Sequence, residues 1–429
     1  MKYIITFAFI LFSAFHIHAQ TVAVVASPVG FSREVRLESF NKVWNTVNER
    51  HYDPTFGGVD WKKVREIYEP KAMSAKSDIE FHDILRQMLG ELKLSHFGIL
   101  PAAADIAAAQ TSHGVSGIDI KMLNGLPVIE RVEPGSPAAK AGIKAGYIVS
   151  KIDGKTIDEL TKPLTESLAA RTITDGIRKV YFERTIEAII NGKADTTVKI
   201  ELLDGNDQPQ KFDLMRQVFS GQMSAALGNF PPQEVIFESK ILDGNIGYIR
   251  FNIWVIPQMP KIRAAIREFH NTKGIIIDIR GNPGGLGGMA SGVAGLMTDK
   301  QSTLGKMRSR DGANEFIVYP QSDPFLGKVV ILTDHGSAST SEVFMAGLQE
   351  MGRAAIIGTT SAGAVLPSVF EKLPTGALFQ YVISDYRSPK NILIEGRGVI
   401  PDIEVEQTRV ALLAGRDAQL ETALKFILK

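Results

Sequence analysis

The C-terminal half of this chain alternates strongly apolar, strand-like runs with helical patterns, and this alternation restricts its fold most. Helical spacing at 258–270 and 339–352 separates the runs. A continuous apolar run is typical of a strand covered on both faces. Strands joined through helices form mostly parallel sheets with right-handed crossovers. We therefore predict an α/β domain over residues 236–429. The strand-like runs are IGYIRF (246–251), GIIIDI (274–279), KVVILT (328–333) and AAIIG (354–358).

The N-terminal third carries apolar side chains at helical spacing over residues 36–100. Asp60 and Ser77 each precede such a pattern and can cap a first helical turn. These signals predict an N-terminal helical domain over 30–105. Residues 101–112 are small and polar, which predicts a linker.

Residues 113–216 contain several strand-like runs and a Pro-Gly-Ser-Pro-Ala segment at 134–138. This order resembles a PDZ domain with an insertion or lid at 158–195. PDZ domains add a peptide C-terminus to a sheet edge and hold its carboxylate on backbone N–H groups. The alternative is that this PDZ-like module only packs against its neighbours. By the resemblance, the carboxylate loop consists of Ser116, Gly117, Ile118 and Asp119.

A serine-rich run, DHGSASTSE at 334–342, lies between a buried-type strand and a helix. Ser339 can be the helix N-cap, and Glu342 can complete a capping box. A helix N-terminus also stabilises developing negative charge, and ligands bind at the strand ends of open α/β sheets. Position alone leaves both capping and catalysis open for Ser339.

A glycine-rich run, DIRGNPGG at 278–285, follows another buried-type strand. Glycines allow backbone N–H groups to approach a ligand closely. The segment 285–290 matches a G-x-G-x-x-A dinucleotide pattern, but that pattern should begin in the first turn after the strand, which it does not here. Asp278 and Arg280 are interpreted as a structural pair beneath the glycine loop.

These two runs, 50-odd residues apart, resemble the tail-specific (C-terminal processing) serine protease family. Further motifs follow the family's order from residue 36 to about 406, including VDW at 59–61 and GVIPD at 398–402. The resemblance implies a multidomain α+β fold whose α/β core has ββα (ClpP/crotonase-like) units. It also implies that Ser339 is the nucleophile. The implied oxyanion hole combines Thr340 with a glycine of the pair Gly284 and Gly285.

One departure concerns the general base. The bacterial branch of the family pairs its serine with a lysine, but Ala364 stands at the matching position here. The first lysine after Ser339 is Lys372. Because a serine hydroxyl needs an adjacent base to become a good nucleophile, another residue has to supply that function.

The Ser95-His96 pair resembles the tricorn-like branch of the same family. That branch uses histidine as the base, oriented by the serine, with a glutamate completing the relay, and Glu395 aligns with that glutamate. Histidine suits this role because its pKa lies near working pH. The alternatives are His335 as the base, or His96 as a structural histidine. The resemblance therefore implies a catalytic tetrad of Ser339, His96, Ser95 and Glu395.

The N-terminal pattern and the overall composition indicate where the protein is located and which partner classes are excluded. Lys2 followed by an apolar run at 3–15 predicts a signal peptide over 1–19 and export, to the periplasm, rather than a membrane anchor. The chain has no cysteine, which excludes disulfides and a Cys nucleophile. Its net charge of +1 offers no basic field for nucleic acid. No metal-site or cofactor motif occurs, so neither is expected.

The sequence therefore predicts an exported serine endopeptidase that cleaves unfolded proteins or peptide C-terminal regions. The alternative is a catalytically inactive peptide- or hydrophobic-ligand-binding protein on the same fold. Ala364 favours this alternative, whereas the coincidence of Ser95, His96, Ser339 and Glu395 favours the peptidase.

Overall fold

The computed structural model describes residues 30–169 and 173–429 and is mixed α+β, as predicted. The signal peptide predicted over 1–19 lies outside the described residues. No helix within the two described ranges has the length and apolar character needed to cross a bilayer.

Helices occur in all parts of the described chain. Short 3-10 turns lie at Phe56–Gly58 and Phe269–Asn271. In chain order the α-helices are α1 (Arg33–Arg50), α2 (Trp61–Met73), α3 (Asp78–Gly90), α4 (Ala103–Thr111), α5 (Pro137–Lys140), α6 (Ile157–Ala169), α7 (Asp175–Ile190), α8 (Gln258–Glu268), α9 (Gly288–Ala294), α10 (Thr340–Glu350), α11 (Arg409–Leu413) and α12 (Ala418–Leu428).

Strands begin at residue 98 and continue to residue 404. In chain order they are β1 (Gly98–Ala102), β2 (His113–Val115), β3 (Ile118–Leu123), β4 (Leu126–Val132), β5 (Ile148–Ile152), β6 (Lys155–Thr156), β7 (Gly192–Lys193), β8 (Thr197–Leu203), β9 (Pro209–Met215), β10 (Gln217–Val218), β11 (Gln222–Met223), β12 (Glu234–Val235), β13 (Phe237–Leu242), β14 (Ile246–Phe251), β15 (Gly274–Asp278), β16 (Ser302–Ser309), β17 (Gly312–Val318), β18 (Lys328–Thr333), β19 (Ala355–Gly358), β20 (Ser368–Lys372), β21 (Ala377–Val382), β22 (Asp385–Arg387) and β23 (Ile403–Glu404).

The C-terminal part contains a six-stranded sheet in the order β13-β14-β15-β18-β19-β23, parallel except for the β13–β14 pair. Both faces are covered, as the continuous apolar runs predict. Ile275 and Ile277 of β15 enter the core that also holds residues of α8, α9 and α10, whereas Ile276 packs with Ala423 and Ile427 of α12 on the opposite face. The parallel arrangement places the C-terminal ends of β15 and β18 side by side.

The N-terminal helices α1, α2 and α3 are capped by Ser32, Asp60 and Ser77, whose side chains accept backbone N–H groups. Their shared core is completed by Phe379 and Tyr381 of β21. Strand β1 pairs antiparallel with β21, which fixes the chain that follows α3 to the C-terminal part. The predicted division into 30–105, 113–216 and 236–429 stays a prediction. Residues of the last range contribute to the hydrophobic core of the first.

The prediction of a linker at 101–112 is wrong, because β1 extends to Ala102 and α4 occupies Ala103–Thr111. The segment is rich in alanine, which is the strongest helix former. The small residues that suggested a flexible connection therefore form a helix. Gln110 attaches it to the carbonyl of Pro232 at 2.9 Å.

The PDZ-like module contains an antiparallel sheet in the order β3-β4-β5-β8-β9. Helices α6 and α7 form the inserted segment, and Ile186 and Ile190 of α7 enter the module's core. The module is also attached to the C-terminal part, because Arg409 of α11 donates to the carbonyls of Gly146 (2.9 Å) and Asp204 (2.6 Å). The C-terminal part of the chain therefore holds the module in place.

The packing against the central sheet generates a stability prediction. A Cβ atom at Gly247 in β14 would lie 2.4 Å from the ring of Phe269. We expect Gly247→Ala to lower the free energy of unfolding by about 1–3 kcal/mol, because overpacking forces side chains or backbone to shift. Urea unfolding followed by circular dichroism measures the change.

The matched control is Gly288→Ala at the start of α9, where a new Cβ would have no heavy atom within 4 Å. Alanine is a better helix former than glycine, so this variant should be neutral or slightly stabilised. Equal unfolding midpoints for the two variants would contradict the packing described for β14.

Candidate active site

The glycine-rich run at 278–285 and the serine-rich run at 334–342 meet beside the C-terminal ends of β15 and β18. Asp278 pairs with Leu332 in the sheet, so the loops that follow leave it at the same edge. The backbone N–H of Ala338 then donates to the carbonyl of Asn282 at 3.0 Å. This places the glycine run directly against the serine run, where an open α/β sheet usually binds its ligand.

Ser339 stands at the start of α10 with φ 57° and ψ −118°, a backbone conformation that non-glycine residues rarely adopt. The side chain is fully buried. Gly284 makes this arrangement possible, because a Cβ there would lie 2.6 Å from the Cβ of Ser339. Strained residues of this kind cluster at functional sites, where the surrounding structure holds them in place.

A continuous hydrogen-bond chain connects the four residues of the predicted tetrad. His96 Nε2 lies 3.2 Å from Ser339 Oγ, and His96 Nδ1 lies 2.6 Å from Ser95 Oγ. Ser95 Oγ in turn donates to Glu395 Oε2 at 3.0 Å. Residues from three distant parts of the chain therefore form one connected polar group.

The chain of hydrogen bonds defines the tautomer of His96. The single hydroxyl proton of Ser95 is donated to the carboxylate of Glu395, so Ser95 Oγ accepts a hydrogen bond from the protonated Nδ1 of His96. The neutral imidazole then presents an unprotonated Nε2 to the Ser339 hydroxyl. This is the orientation that a general base needs.

Backbone hydrogen bonds fix the positions of Ser95, His96 and Glu395 relative to one another. His96 has a positive φ of 60°, and β1 begins two residues later. The Glu395 carboxylate accepts the backbone N–H of Ser95 at 3.0 Å and that of Val365 at 2.9 Å. One carboxylate therefore ties the loop after α3 to the segment near Ala364.

Burial controls the protonation of these groups. It disfavours the charged imidazolium and lowers the pKa of His96 to about 3. Burial also raises the pKa of Glu395, an effect that the hydrogen bonds from Val365 and Ser95 oppose. At neutral pH the imidazole is therefore neutral and able to accept a proton.

Two backbone N–H groups beside Ser339 are candidates for an oxyanion hole. Those of Gly285 and Thr340 have no hydrogen-bond acceptor among the residues that the structure describes. The N–H of Gly284 already donates to Asn282 Oδ1 at 3.0 Å. Of the three predicted oxyanion residues, Gly285 and Thr340 thus have an available donor, whereas Gly284 provides the close approach to Ser339.

Glu342 has a larger role than the capping residue that the sequence predicted. Its buried carboxylate accepts the N–H of Ser339 (3.1 Å) and also binds a second segment of the chain. Burial raises its pKa to about 7. A capping box is a local pattern and did not indicate these distant partners. They are Ser361 Oγ (2.6 Å), Gly363 N (2.8 Å) and Ala364 N (2.9 Å).

The side chain of His335, the alternative base, binds another residue and not Ser339. The His335 ring binds Glu183 Oε1 through Nε2 at 2.7 Å. Ala364, which stands where the bacterial branch has lysine, is buried and packs with Ala338 and Ile177. Lys372 is exposed on β20.

The predicted carboxylate loop of the PDZ-like module is engaged with other parts of the chain. The N–H and Oγ of Ser116 both bind Asn191 Oδ1, at 2.9 and 3.0 Å. A Cβ at Gly117 would lie 2.1 Å from the Cβ of Ser136. Asp119 pairs with Arg131 at 2.9 Å, and Ile118 is buried in the module's core.

Within the described ranges, no group of three or more histidine or acidic side chains is arranged to hold a metal ion. Asp278 and Arg280 form a buried pair beneath the glycine loop, with 2.6 Å between Arg280 Nη2 and Asp278 Oδ2. The same guanidinium reaches Asp417 Oδ2 at 2.8 Å, at the start of α12. These contacts anchor the glycine loop to the last helix.

Three protein-family models match this chain. Residues 245–405 match peptidase family S41, residues 32–90 match the tricorn protease C1 domain, and residues 128–166 match a PDZ domain. The matched ranges include the serine and glycine runs, the helices before His96 and part of the β3–β9 module.

Relatives match over most of the chain. The carboxyl-terminal-processing protease of Synechocystis sp. is 27% identical over 415 residues, covering 94% of this chain and 88% of that protein. The protein of the same name from Picosynechococcus sp. is 27% identical over 401 residues, covering 90% and 88%. The solved structure of a photosystem II D1 C-terminal processing protease is 22% identical, covers 92% of this chain and 97% of its own, and has a TM-score of 0.59, which shows a shared fold.

The geometry of His96 generates a pH prediction. Nitrogen-15 NMR of histidine-labelled protein, assigned with His96→Gln, should show a neutral imidazole protonated at Nδ1 at pH 7 and still neutral at pH 5. The unfolded chain takes up this proton near pH 6.5, but the folded chain only near the lowered pKa of about 3. The free energy of unfolding that His96 contributes is therefore present above pH 6.5 and falls as the pH drops towards 3. An imidazolium at pH 6, or a proton on Nε2, would contradict this description.

Proposed function

From the premise that the chain belongs to peptidase family S41, and is a serine-type peptidase of the C-terminal-processing kind, we propose that Ser339 is its nucleophile and His96 its general base. The observation that supports this assignment most is the hydrogen-bond chain Ser339–His96–Ser95–Glu395. The match of residues 32–90 to the tricorn protease C1 domain agrees with a histidine-based site.

The proposed reaction begins with attack of Ser339 Oγ on a peptide carbonyl carbon. His96 Nε2 accepts the hydroxyl proton and then gives it to the leaving amine as the C–N bond breaks, which leaves an acyl-enzyme. Water then attacks the ester, with His96 again accepting and returning the proton. Ser95 and Glu395 stabilise the imidazolium that forms transiently, because the carboxylate is connected to the ring through two hydrogen bonds that share Ser95 Oγ.

The developing oxyanion is proposed to bind the backbone N–H groups of Gly285 and Thr340. Helix α10 begins at Thr340, and the N-terminus of a helix stabilises negative charge. Removing one donor of an oxyanion hole costs about 10²–10³ in kcat in other serine peptidases. Gly284 would then be required for packing rather than for donation.

We further propose export to the periplasm and cleavage of unfolded proteins or peptide C-terminal regions. The N-terminal pattern of Lys2 and the apolar run 3–15 supports export. The names of the relatives support a C-terminal-processing role. The match to a PDZ domain supports the proposal that this module captures a peptide, with the loop that begins at Ser116 as the proposed carboxylate site.

The competing function is an inactive peptide-binding protein, favoured by Ala364 in place of the family lysine. Hydrolysis of unfolded casein separates the two. We expect Ser339→Ala and His96→Ala to lower kcat by at least about 10³-fold, and Lys372→Ala, an exposed control, to keep wild-type activity. If the wild-type protein hydrolysed casein no faster than a folded Ser339→Ala variant, the result would favour the peptide-binding function.

A second prediction concerns the relay behind His96. Ser95→Ala and Glu395→Gln should each lower kcat by about 10–10³-fold with little change in KM, because they affect the charged imidazole that forms only during reaction. A matched control is Glu166→Ala on the exposed face of α6. If KM rose while kcat stayed constant in both relay variants, the relay assignment would be wrong.

A further inference from the structure

The glycine loop that carries the proposed oxyanion donor Gly285 lies directly against the backbone of Trp254. The Trp254 N–H donates to the carbonyl of Gly284 at 2.8 Å, and the Trp254 carbonyl accepts the N–H of Leu286 at 2.7 Å. These bonds form an isolated parallel bridge between Trp254 and Gly285. The approach is close, because a Cβ at Gly285 would lie 2.3 Å from the Trp254 carbonyl oxygen. Trp254 therefore holds the peptide groups on both sides of Gly285.

The planarity of the peptide group converts this contact into a direction for the Gly285 N–H. In a trans peptide group the C=O and the N–H point to opposite sides. Because the Gly284 carbonyl points to Trp254, the Gly285 N–H of the same peptide group points away from Trp254. The Gly285 carbonyl is fixed as well, since it accepts the hydroxyl of Thr340 at 2.9 Å. The orientation of this N–H is therefore set before any substrate binds.

The loop needs this restraint because its two glycines can adopt several backbone conformations. Gly284 has φ 102° and Gly285 has φ 137°, values that side chains other than glycine rarely allow. Rotation of the peptide group between them would replace the N–H with a carbonyl oxygen, which repels an oxyanion. The hydrogen bond from the Trp254 N–H to the Gly284 carbonyl opposes that rotation.

The indole ring of Trp254 connects the same loop to the second proposed donor. Its Nε1–H donates to Ser341 Oγ at 2.9 Å, and Ser341 directly follows Thr340 in α10. The ring is fully buried and stands edge-on to Phe344 of the same helix, with 5.1 Å between the ring centroids. One side chain therefore links the first turn of α10 to the glycine loop.

Ser341 extends this connection to the start of the glycine loop. Its hydroxyl donates to the carbonyl of Asn282 at 3.1 Å, and Asn282 Oδ1 accepts the N–H of Gly284 at 3.0 Å. Asn282 Nδ2 in turn donates to the carbonyl of Phe251 at 3.0 Å. Ser341 and Asn282 are fully buried, so a donor or acceptor left without a partner there would be costly. The polar groups behind the two donors therefore form one connected set.

We propose that Trp254 is the positioning residue of the oxyanion hole: its backbone directs the Gly285 N–H, and its indole N–H, through Ser341, sets where that donor lies relative to the Thr340 N–H. This inference rests on the proposed peptidase function. Trp254 acts on the reaction through these two donors and takes no part in proton transfer. Its loss should therefore weaken binding of the tetrahedral intermediate while the relay behind His96 stays intact.

Two variants break the contact between the indole and Ser341 from opposite sides. Trp254→Phe removes the N–H but keeps an aromatic ring, and Ser341→Ala removes the acceptor. In casein hydrolysis we expect each variant to lower kcat by about 10–10²-fold and to change KM less than about twofold, because the oxyanion forms only after substrate binds. The double variant should be within about twofold of the slower single variant, since both changes break the same bond.

The matched control is Trp44→Phe in α1. It removes an indole N–H that donates at 2.9 Å to the carbonyl of Trp61, within the N-terminal helices. The chemical change is the same as in Trp254→Phe, but it lies away from the glycine loop. This variant should keep the wild-type kcat.

A pair of inhibitors distinguishes positioning from a general structural effect. A peptide aldehyde adds Ser339 Oγ to its carbonyl carbon, and the former carbonyl oxygen then lies in the oxyanion hole, whereas the peptide alcohol of the same sequence binds without reacting. In Trp254→Phe we expect the inhibition constant of the aldehyde to rise about 10–10²-fold and that of the alcohol to change less than about twofold. Nitrogen-15 NMR should still show a neutral His96 imidazole protonated at Nδ1.

Amide hydrogen exchange, followed by mass spectrometry, tests the restraint without any need for activity. Residues 282–290 should exchange at least about fivefold faster in Trp254→Phe and Ser341→Ala than in wild type, and at the wild-type rate in Trp44→Phe. If Trp254→Phe does not fold, Ser341→Ala carries every arm of the test.

Three results would overturn the proposal: wild-type kcat in the folded Trp254→Phe and Ser341→Ala variants, equal rises in the inhibition constants of aldehyde and alcohol, or unchanged exchange of residues 282–290 in both variants. If wild-type protein does not hydrolyse casein, the peptidase function fails. The exchange measurement then still decides whether Trp254 restrains the glycine loop.

Discussion

The contact between His96 and Ser339 joins residues that are 243 positions apart, and it depends on how the described helices and sheets are arranged. The parallel sheet brings the serine run and the glycine run to one edge. The histidine comes from a different unit, the N-terminal helices, and reaches Ser339 because β1 pairs with β21. Loss of the β1–β21 pairing would therefore separate His96 from Ser339 without changing either residue.

Two carboxylates, the buried Glu342 and the partly buried Glu395, maintain this arrangement without a cationic partner among the described residues. Glu342 accepts four hydrogen bonds from both sides of the site, and Glu395 accepts three. A buried charge is expensive unless its hydrogen bonds are satisfied, which these contacts achieve. The raised pKa values of both groups reflect the remaining cost of burial. Each carboxylate fixes the relative position of segments that no single secondary-structure element connects.

The sequence allowed the α/β sheet and the first three helices to be predicted, because these depend on local periodicity and caps. The candidate site residues followed from the resemblance to a peptidase family, which rests on short motifs. The segment 101–112 was predicted wrongly because small residues serve helices and linkers equally. The partners of Glu342 could not be predicted, because a capping box is local and the bonds to 361–364 depend on tertiary packing. Helix α7 lies in the segment that was predicted as an insertion or lid. Its contact with Ala338 and Ala364 depends on tertiary packing, which no motif records.

The proposed site also explains how the chain can lack the family lysine. Ala364 is packed against Ile177 of α7, while His96 approaches Ser339 from the side of β1. The proposed base therefore belongs to the N-terminal unit, and Ile177 of α7 fills the space beside residue 364.

The most direct test of the central claim is the rate at which a fluorophosphonate probe labels the protein, followed by intact-mass spectrometry. If His96 activates Ser339, wild-type protein should gain one adduct on Ser339, and His96→Ala should label at least about 10²-fold more slowly although Ser339 is present. Labelling at the same rate in both proteins, or an adduct on another residue, would contradict the Ser339–His96 account.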